Sequence, residues 1–344
     1  MAEQLSFLAC CIRMVIMIMM SIFWTTVAGG YMLIEYLKFG KEYTEKKEHP
    51  KPHCLEGWTH GFATLKEIKM HYVEIGELGK PLMVFVHGFP EFWYSWRHQM
   101  KHFQNDYHCI AIDLRGYGDS DKPEGIEKYD ARVLVDDIRQ LIEYLGHEKA
   151  VVVGHDWGAA LSWMFAMNYP EYTQKLVIMN VPHPKAFAEV MKTPKQMLKS
   201  WYVFFFQCPV LPELRLTARD FRFLRTMFRG KNGGLINQEN FTDEDLEAWK
   251  YTFSKKDAFT FPINFYRHSF RRFRPATYET NFMIKAPTLL LWGTEDNFLE
   301  KKGAELSIPM CENGRVQYIE KCSHWIQQDC PEEVNKHMEK FLKE

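Results

Sequence analysis

Charge of one sign is the first thing this sequence lacks. Its 43 Lys and Arg offset 44 Asp and Glu, leaving 344 residues with a formal net charge of -1. That balance removes the electrostatic case for a nucleic-acid partner. Cysteine is sparse and irregularly placed. Cys10 and Cys11 adjoin an apolar run, where they are candidates for acylation, and Cys54, Cys109, Cys208, Cys311, Cys322 and Cys330 are scattered. No pair has zinc-ligand spacing with nearby histidines, so reduced thiols are expected and neither a disulfide framework nor a zinc site. The chain has no internal repeat, no low-complexity segment and no phosphate-binding Gly-x-x-x-x-Gly-Lys-Ser/Thr loop; Asp113–Ser120 is glycine-rich but reads as scaffold. What is present is ordinary for a globular protein, 46% apolar and 25% charged. The length holds one large domain, or one domain carrying an insertion.

A more local absence comes next. Between Met14 and Ile34 there is no Asp, Glu, Lys, Arg or His, a run long enough to cross hydrocarbon. Thr26-Val27-Ala28 before Gly29 resembles a signal-peptidase site, but the apolar run continues past it, which favours an anchor. Arg13 and the amino terminus lie on one side of the run, and Lys38, Lys41, Lys46 and Lys47 on the other. The positive-inside tendency then leaves the remainder in the cytosol. The expectation is a single-pass protein, placed in the endoplasmic reticulum. The sequon Asn240-Phe241-Thr242 points the opposite way, weakly.

Residues 38–56 are polar, contain Pro50 and Pro52, and read as a stalk. Beyond them, apolar runs of strand length alternate with helical periodicity: 82–86, 109–112, 150–153 and 176–179, with a helical pattern over 134–145. This alternation argues for βαβ units and a mostly parallel sheet flanked by helices. From about 181 to 276 no comparable strand run occurs, and aromatic and basic residues abound. Strand runs resume at 288–292 and 316–319, before a closing helix from Pro331. The expected organisation is an anchor over 1–37, a stalk over 38–56, a core over 57–180 and 277–344, and a helical cap over 181–276.

Val151-Val152-Val153-Gly154-His155-Asp156-Trp157-Gly158-Ala159 has the form strand, Gly-x-nucleophile-x-Gly, helix. This is the nucleophile elbow of the α/β-hydrolase fold, with Asp156 in place of the usual serine. Taken alone, Asp156 is equally well a helix N-cap. The downstream order decides: Asp296 follows a strand run, with Glu295 as its rival, and His324 follows the next one, giving nucleophile, acid and histidine in sequence. His87-Gly88-Phe89-Pro90 follows the run at 82–86, so the N–H groups of Phe89 and Trp157 are the candidate oxyanion hole. Aspartate narrows the chemistry. A serine attacking an epoxide or alkyl halide would form an ether, which water cannot readily cleave. A carboxylate forms an ester, which a water activated by His324, oriented by Asp296, can hydrolyse. No metal or organic cofactor enters this chemistry.

With these motifs the chain resembles epoxide hydrolases, in particular the animal membrane-anchored types three and four, from about Gly61 to the carboxyl terminus. The resemblance implies two cap tyrosines that hydrogen-bond the epoxide oxygen. Tyr202 in Tyr202-Val203-Phe204-Phe205-Phe206-Gln207 matches one, and Tyr266 in Asn264-Phe265-Tyr266-Arg267 the other. Asn297 and Cys322 depart from the usual pattern without removing a catalytic group, and Lys231–Gly234 lengthens a cap loop. Phe204, Phe205, Phe206, Phe221, Phe223 and Phe228 hint at an apolar tunnel for lipophilic epoxides, such as those of fatty acids. Haloalkane dehalogenases resemble the chain in fold and nucleophile, with Trp157 and Trp201 as candidate halide donors. A catalytically silent, membrane-tethered binding protein is the alternative outside enzymes.

Overall fold

The computed structural model describes residues 2–45, 47–271 and 282–344. Lys46 and the junction at 276–277 lie outside the described residues. Helix α1 (Ala2–Phe39) comes first, followed by strands β1 (Thr59–Thr64), β2 (Lys69–Ile75) and β3 (Leu82–Val86). Then come α2 (Arg97–Phe103), β4 (His108–Ile112), α3 (Ala131–Tyr144), β5 (Ala150–His155), α4 (Trp157–Asn168) and β6 (Thr173–Met179). Six helices follow: α5 (Pro184–Val190), α6 (Pro194–Lys199), α7 (Trp201–Phe205), α8 (Leu211–Arg229), α9 (Asp243–Ser254) and α10 (Thr260–Arg271). The chain then closes through β7 (Thr288–Gly293), α11 (Lys302–Ser307), β8 (Gly314–Ile319), α12 (Ile326–Asp329) and α13 (Pro331–Lys343). Among the described residues from 181 to 271 there is no strand. Helix α8 is broken where Ala218–Phe221 leave helical backbone angles.

The eight strands form one sheet in the order β1-β2-β4-β3-β5-β6-β7-β8. Strand β2 is antiparallel to both neighbours and every other pairing is parallel. Strands β3, β4, β5 and β7 are buried along their whole length. That is why they read in sequence as unbroken Val/Ile/Leu runs: helices cover both faces of a parallel sheet, so no side needs polar residues. After β3 the chain moves to one side of the sheet, and β5 returns on the other side of β3. The strand order therefore reverses between β3 and β5, and a crevice opens at their carboxyl ends, where α/β folds bind ligands. His87–Gly88 leaves one of these ends and Asp156 the other.

The cap is tied to that crevice by polar contacts. Trp249 donates its indole N–H to the Pro90 carbonyl at 2.8 Å, and Arg97 meets Asp245 at 3.3 Å with both side chains buried. Residues 47–56 also reach the cap. The His49 side chain is buried against Asp220, and the Cys54 N–H donates to Glu244 at 2.9 Å. In the sequon, the Asn240 amide donates to the Asp329 carbonyl at 3.0 Å. From Met14 on, α1 is long and apolar enough to cross a membrane by length and composition.

Helix α4 approaches β3 so closely that a methyl group at Gly158 would overlap the Val86 carbonyl oxygen. Backbone cannot rotate away as a side chain can, so Gly158→Ala has to separate helix from strand. We expect a loss of about 3 kcal/mol by urea denaturation. An unchanged midpoint would show that α4 does not need this contact.

Candidate active site

Asp156 sits between β5 and α4 with φ 49° and ψ -122°, a left-handed backbone that non-glycine residues avoid. Such a conformation costs of order 1–3 kcal/mol and persists only where the surroundings impose it. Here Gly158 lets the helix start close under β3, and Gly88 leaves room for the carboxylate, since a side chain there would overlap Asp156. The two carboxylate oxygens face different partners. Oδ1 accepts the Phe89 N–H at 2.8 Å, and Oδ2 lies 3.5 Å from Nε2 of His324. Trp157 begins α4, so its N–H belongs to the first turn, where no intrahelical acceptor exists.

His324 comes from the loop after β8, and its Nδ1 lies 2.8 Å from Oδ2 of Asp296. Asp296 is thoroughly held. Its Oδ1 accepts the N–H groups of Phe298 at 2.7 Å and Leu299 at 2.9 Å, and Oδ2 also accepts the Asn180 amide at 2.8 Å. Glu295, the rival acid, is exposed. The structure therefore brings Asp156, His324 and Asp296 into one chain of contacts and leaves Glu295 out of it.

The electrostatics follow from this sandwich. Burial alone would lower the His324 pKa, but the charge of Asp296 and the hydrogen bonds to Asp156 and Asp296 prevail, raising it to about 10. Burial pushes both carboxylates up. The hydrogen bond and charge of His324 outweigh that push and hold Asp156 and Asp296 below the usual range. The resting arrangement is one imidazolium between two carboxylates.

Tyr202 from α7 and Tyr266 from α10 close the crevice from the cap side, their ring centres 5.9 Å apart. Burial, together with the Asp156 charge, raises both phenol pKa values, so both stay protonated donors at neutral pH. Two cavity lobes, about 280 Å³ and about 350 Å³, share Asp156, Tyr202 and Tyr266. Phe205, Phe206 and Phe223 line the first, which reaches His324; Met164, Phe187 and Phe270 line the second. Phe204, Phe221 and Phe228 line neither lobe and are buried, Phe228 against Trp249 and Trp325.

Residues 81–330 match the family model for the alpha/beta hydrolase fold. Epoxide hydrolase 2 of Caenorhabditis elegans is 46% identical over 322 residues, 93% of this chain and 90% of that protein. Human epoxide hydrolase 4 is 43% identical, covering 87% of this chain and 83% of its own length. The crystal structure of Bacillus megaterium epoxide hydrolase in complex with an inhibitor superposes with a TM-score of 0.75 at 33% identity, over 83% of this chain and all of that one. The chain belongs to the epoxide hydrolases of the α/β-hydrolase fold.

In this epoxide hydrolase several supporting residues escaped the motif-based reading. Glu91 is fully buried, and each of its oxygens is engaged. Oε2 meets Nδ1 of His155 at 2.7 Å and accepts the Gly88 N–H at 2.9 Å, while Oε1 accepts the amides of Gln327 and Gln328. His155 turns its Nε2 to the His324 carbonyl at 2.8 Å. One buried carboxylate thus locks the Phe89 loop to the His324 loop. Asn180 does the same on the acid side, donating to Asp296 and accepting from the Gly293 N–H at 3.0 Å. No spacing rule marks these residues. Glu91 stands one position past His-Gly-Phe-Pro, but only burial reveals its work. Cys322, Asp329 and Cys330 bring three potential ligand atoms within 4.8 Å of one another. Asp329 already accepts the N–H groups of Ser323 at 2.6 Å and Asn237 at 2.7 Å, so the cluster serves as a clasp for the His324 loop.

Because the His324 pKa is raised from 6.5 to about 10, its stabilising contribution is complete below about pH 6.5 and is lost as the pH climbs to 10. Thermal midpoints should therefore fall across that interval. The fall should be shallower in Asp156→Asn, which removes one of the two carboxylates that raise the imidazole. Identical slopes in the two proteins would mean that His324 is not charged beside Asp156.

Proposed function

We propose that the enzyme opens lipophilic epoxides, including those of fatty acids, to vicinal diols through a covalent ester on Asp156. The observation that carries this reading is the split environment of the Asp156 carboxylate. Oδ2 is the free nucleophile beneath the tyrosines, and Oδ1 already rests on the Phe89 N–H. Attack of Oδ2 on a ring carbon breaks the carbon–oxygen bond, and Tyr202 and Tyr266 supply the proton that the leaving alkoxide needs. Esterification abolishes the Asp156 charge and removes one of the forces that keep His324 protonated. The imidazole releases its proton, which restores the phenol by way of solvent, and becomes a base.

Neutral His324 then takes a proton from water, and the hydroxide attacks the ester carbonyl. The oxyanion forms on Oδ1, held by the N–H groups of Phe89 and Trp157. Collapse releases the diol, with the free carboxylate and imidazolium restored. One epoxide and one water are consumed and the protons balance. Asp296, fixed by three donors, keeps the imidazole oriented throughout. Two lobes meeting at the nucleophile suit an epoxide within a chain, one arm in each lobe. The halide of an alkyl halide leaves as a stable anion and needs no acid, so the paired phenols favour an epoxide over a dehalogenase substrate. In this reading helix α1 is a membrane anchor, the positive-inside tendency of the basic residues after it favours a cytosolic catalytic part, and the membrane is taken to be that of the endoplasmic reticulum.

His324→Gln stalls the enzyme at the ester. After exposure to a long-chain epoxide, its intact mass should rise by one whole epoxide, and Asp156→Ala should abolish the gain. A gain of an alkyl group from haloalkanes alone would overturn the reading in favour of dehalogenation. No adduct from either class in folded protein would favour a silent binding protein. In the same assay, Tyr266→Phe should slow adduct formation by about tenfold to a hundredfold, the value of a hydrogen bond to a developing charge.

A further inference from the structure

Helix α1 does not stand clear of the catalytic domain. Along one stripe it rests on the cap. Trp24 meets Trp201 of α7 with ring centres 5.5 Å apart, Gly29 faces Leu211 of α8, and Ala28 and Met32 are buried. The stripe ends at Glu35, which is 5% exposed and lies 2.9 Å from Arg215, 3.6 Å from Arg219 and 2.8 Å from Arg222. At about 1.5 Å per residue, Met14 to Ile34 spans about 30 Å, the thickness of the hydrocarbon layer. Trp24 is near the middle of that run. Cap residues that touch the helix between Trp24 and Glu35 therefore share the depth of one leaflet.

The surfaces on both sides of this contact fit that depth. The opposite face of α1 stays apolar and bare down to the arginines, with Ile34 65% and Leu37 74% exposed. The neighbouring cap surface carries Leu198 and Val210, each 62% exposed, Leu214 at 47%, and the half-exposed Trp201. Bare apolar side chains above a ring of arginines are the pattern of a surface that sinks into the headgroup–acyl boundary. Trp201 and Arg215 also line the first cavity lobe. That lobe therefore reaches the surface at the same place where α1 docks.

We infer that the cap face bearing Leu198, Trp201, Val210 and Leu214 is immersed in the bilayer beside α1, and that the first lobe takes its substrate laterally from the leaflet. This rests on the reading of the chain as an anchored hydrolase of lipophilic epoxides. The partner is the lipid itself. Docking of α1 fixes the depth and tilt of the cap, so the opening lies among acyl chains and an apolar epoxide never crosses water.

The test uses the full chain in phosphatidylcholine vesicles. A benzophenone amino acid is placed at Leu198, at Leu214, or at Leu78. Leu78 is exposed in the turn before β3, at the end of the sheet away from the cap. Irradiation should give phospholipid adducts at 198 and 214 and none at 78. Adducts at all three, or only at 78, or none, would overturn immersion of the cap. In parallel, Leu198→Glu/Leu214→Glu should hydrolyse a small water-soluble epoxide at the unaltered rate. Its turnover of a long-chain epoxide dissolved in the vesicles should fall at least tenfold. Equal rates for the vesicle-borne epoxide in the two proteins, or an equal fall for both substrates, would overturn uptake from the leaflet. If lipid adducts form at 198 and 214 but the unaltered enzyme turns over neither epoxide, the membrane surface stands and the catalytic reading fails.

Discussion

One imidazole between two carboxylates, at the floor of the crevice beneath the cap, is the constraint on which the rest of this active site depends. Each carboxylate is buried and so disfavoured as an anion, yet each is held ionised by the same His324. A charge cluster of this kind survives only where every remaining lone pair is met by a donor. This explains the density of backbone N–H groups around it: Phe89 on one side, and Phe298 and Leu299 on the other, with the Asn180 amide added. It also explains Glu91, a further buried carboxyl group that touches no reacting atom. Glu91 holds Gly88 and, through His155, the His324 carbonyl, so the two loops flanking the nucleophile move as one body. The strained Asp156 backbone fits the same packing, since the glycines at 88 and 158 let the surrounding backbone close in around it.

The legibility of the sequence followed burial. Runs at 82–86, 150–153 and 288–292 coincide with β3, β5 and β7 to within two residues, because strands covered on both faces must be apolar throughout. Strands β1 and β2 went unread. Strand β1 is the edge strand and mostly exposed, while β2 is buried over Met70–Val73 but includes His71 and is flanked by Lys69 and Glu74, so neither reads as an apolar run. The elbow, Asp296 and His324 were legible because the fold fixes their order along the chain. Glu91, His155 and Asn180 were not, because a polar residue that saturates a buried neighbour has no spacing of its own. Aromatic content in the cap was a blunt guide for a related reason: Phe205, Phe206 and Phe223 face the cavity while Phe204, Phe221 and Phe228 are buried away from it, and composition cannot separate the two uses.

The architecture divides the proposed reaction between two bodies. The sheet holds Asp156, His324 and Asp296, all at strand ends, where a rigid scaffold sets distances. The cap holds Tyr202 and Tyr266 on two separate helices, α7 and α10. Nucleophile and base therefore belong to the core, and acid and substrate shape to the cap. Trp249 bonded to Pro90 and the buried Arg97–Asp245 pair hold the two bodies in register.

That division gives the position of α1 a meaning beyond attachment. The helix lies on α7, the helix that carries Tyr202, and on the arginine-bearing part of α8. An anchor joined to the core by a free tether would only raise local concentration. Under the proposed membrane reading, an anchor docked on the cap would also fix which side of the cavity faces the bilayer. Glu35 makes the dock specific, because a carboxylate that is 5% exposed at the end of an apolar helix needs its arginines. Arg219 lies within the break of α8 at Ala218–Phe221, with Arg215 before it and Arg222 after it, so the break lets the three converge on one acid. The irregular backbone of α8 and the buried Glu35 of α1 are two sides of a single contact.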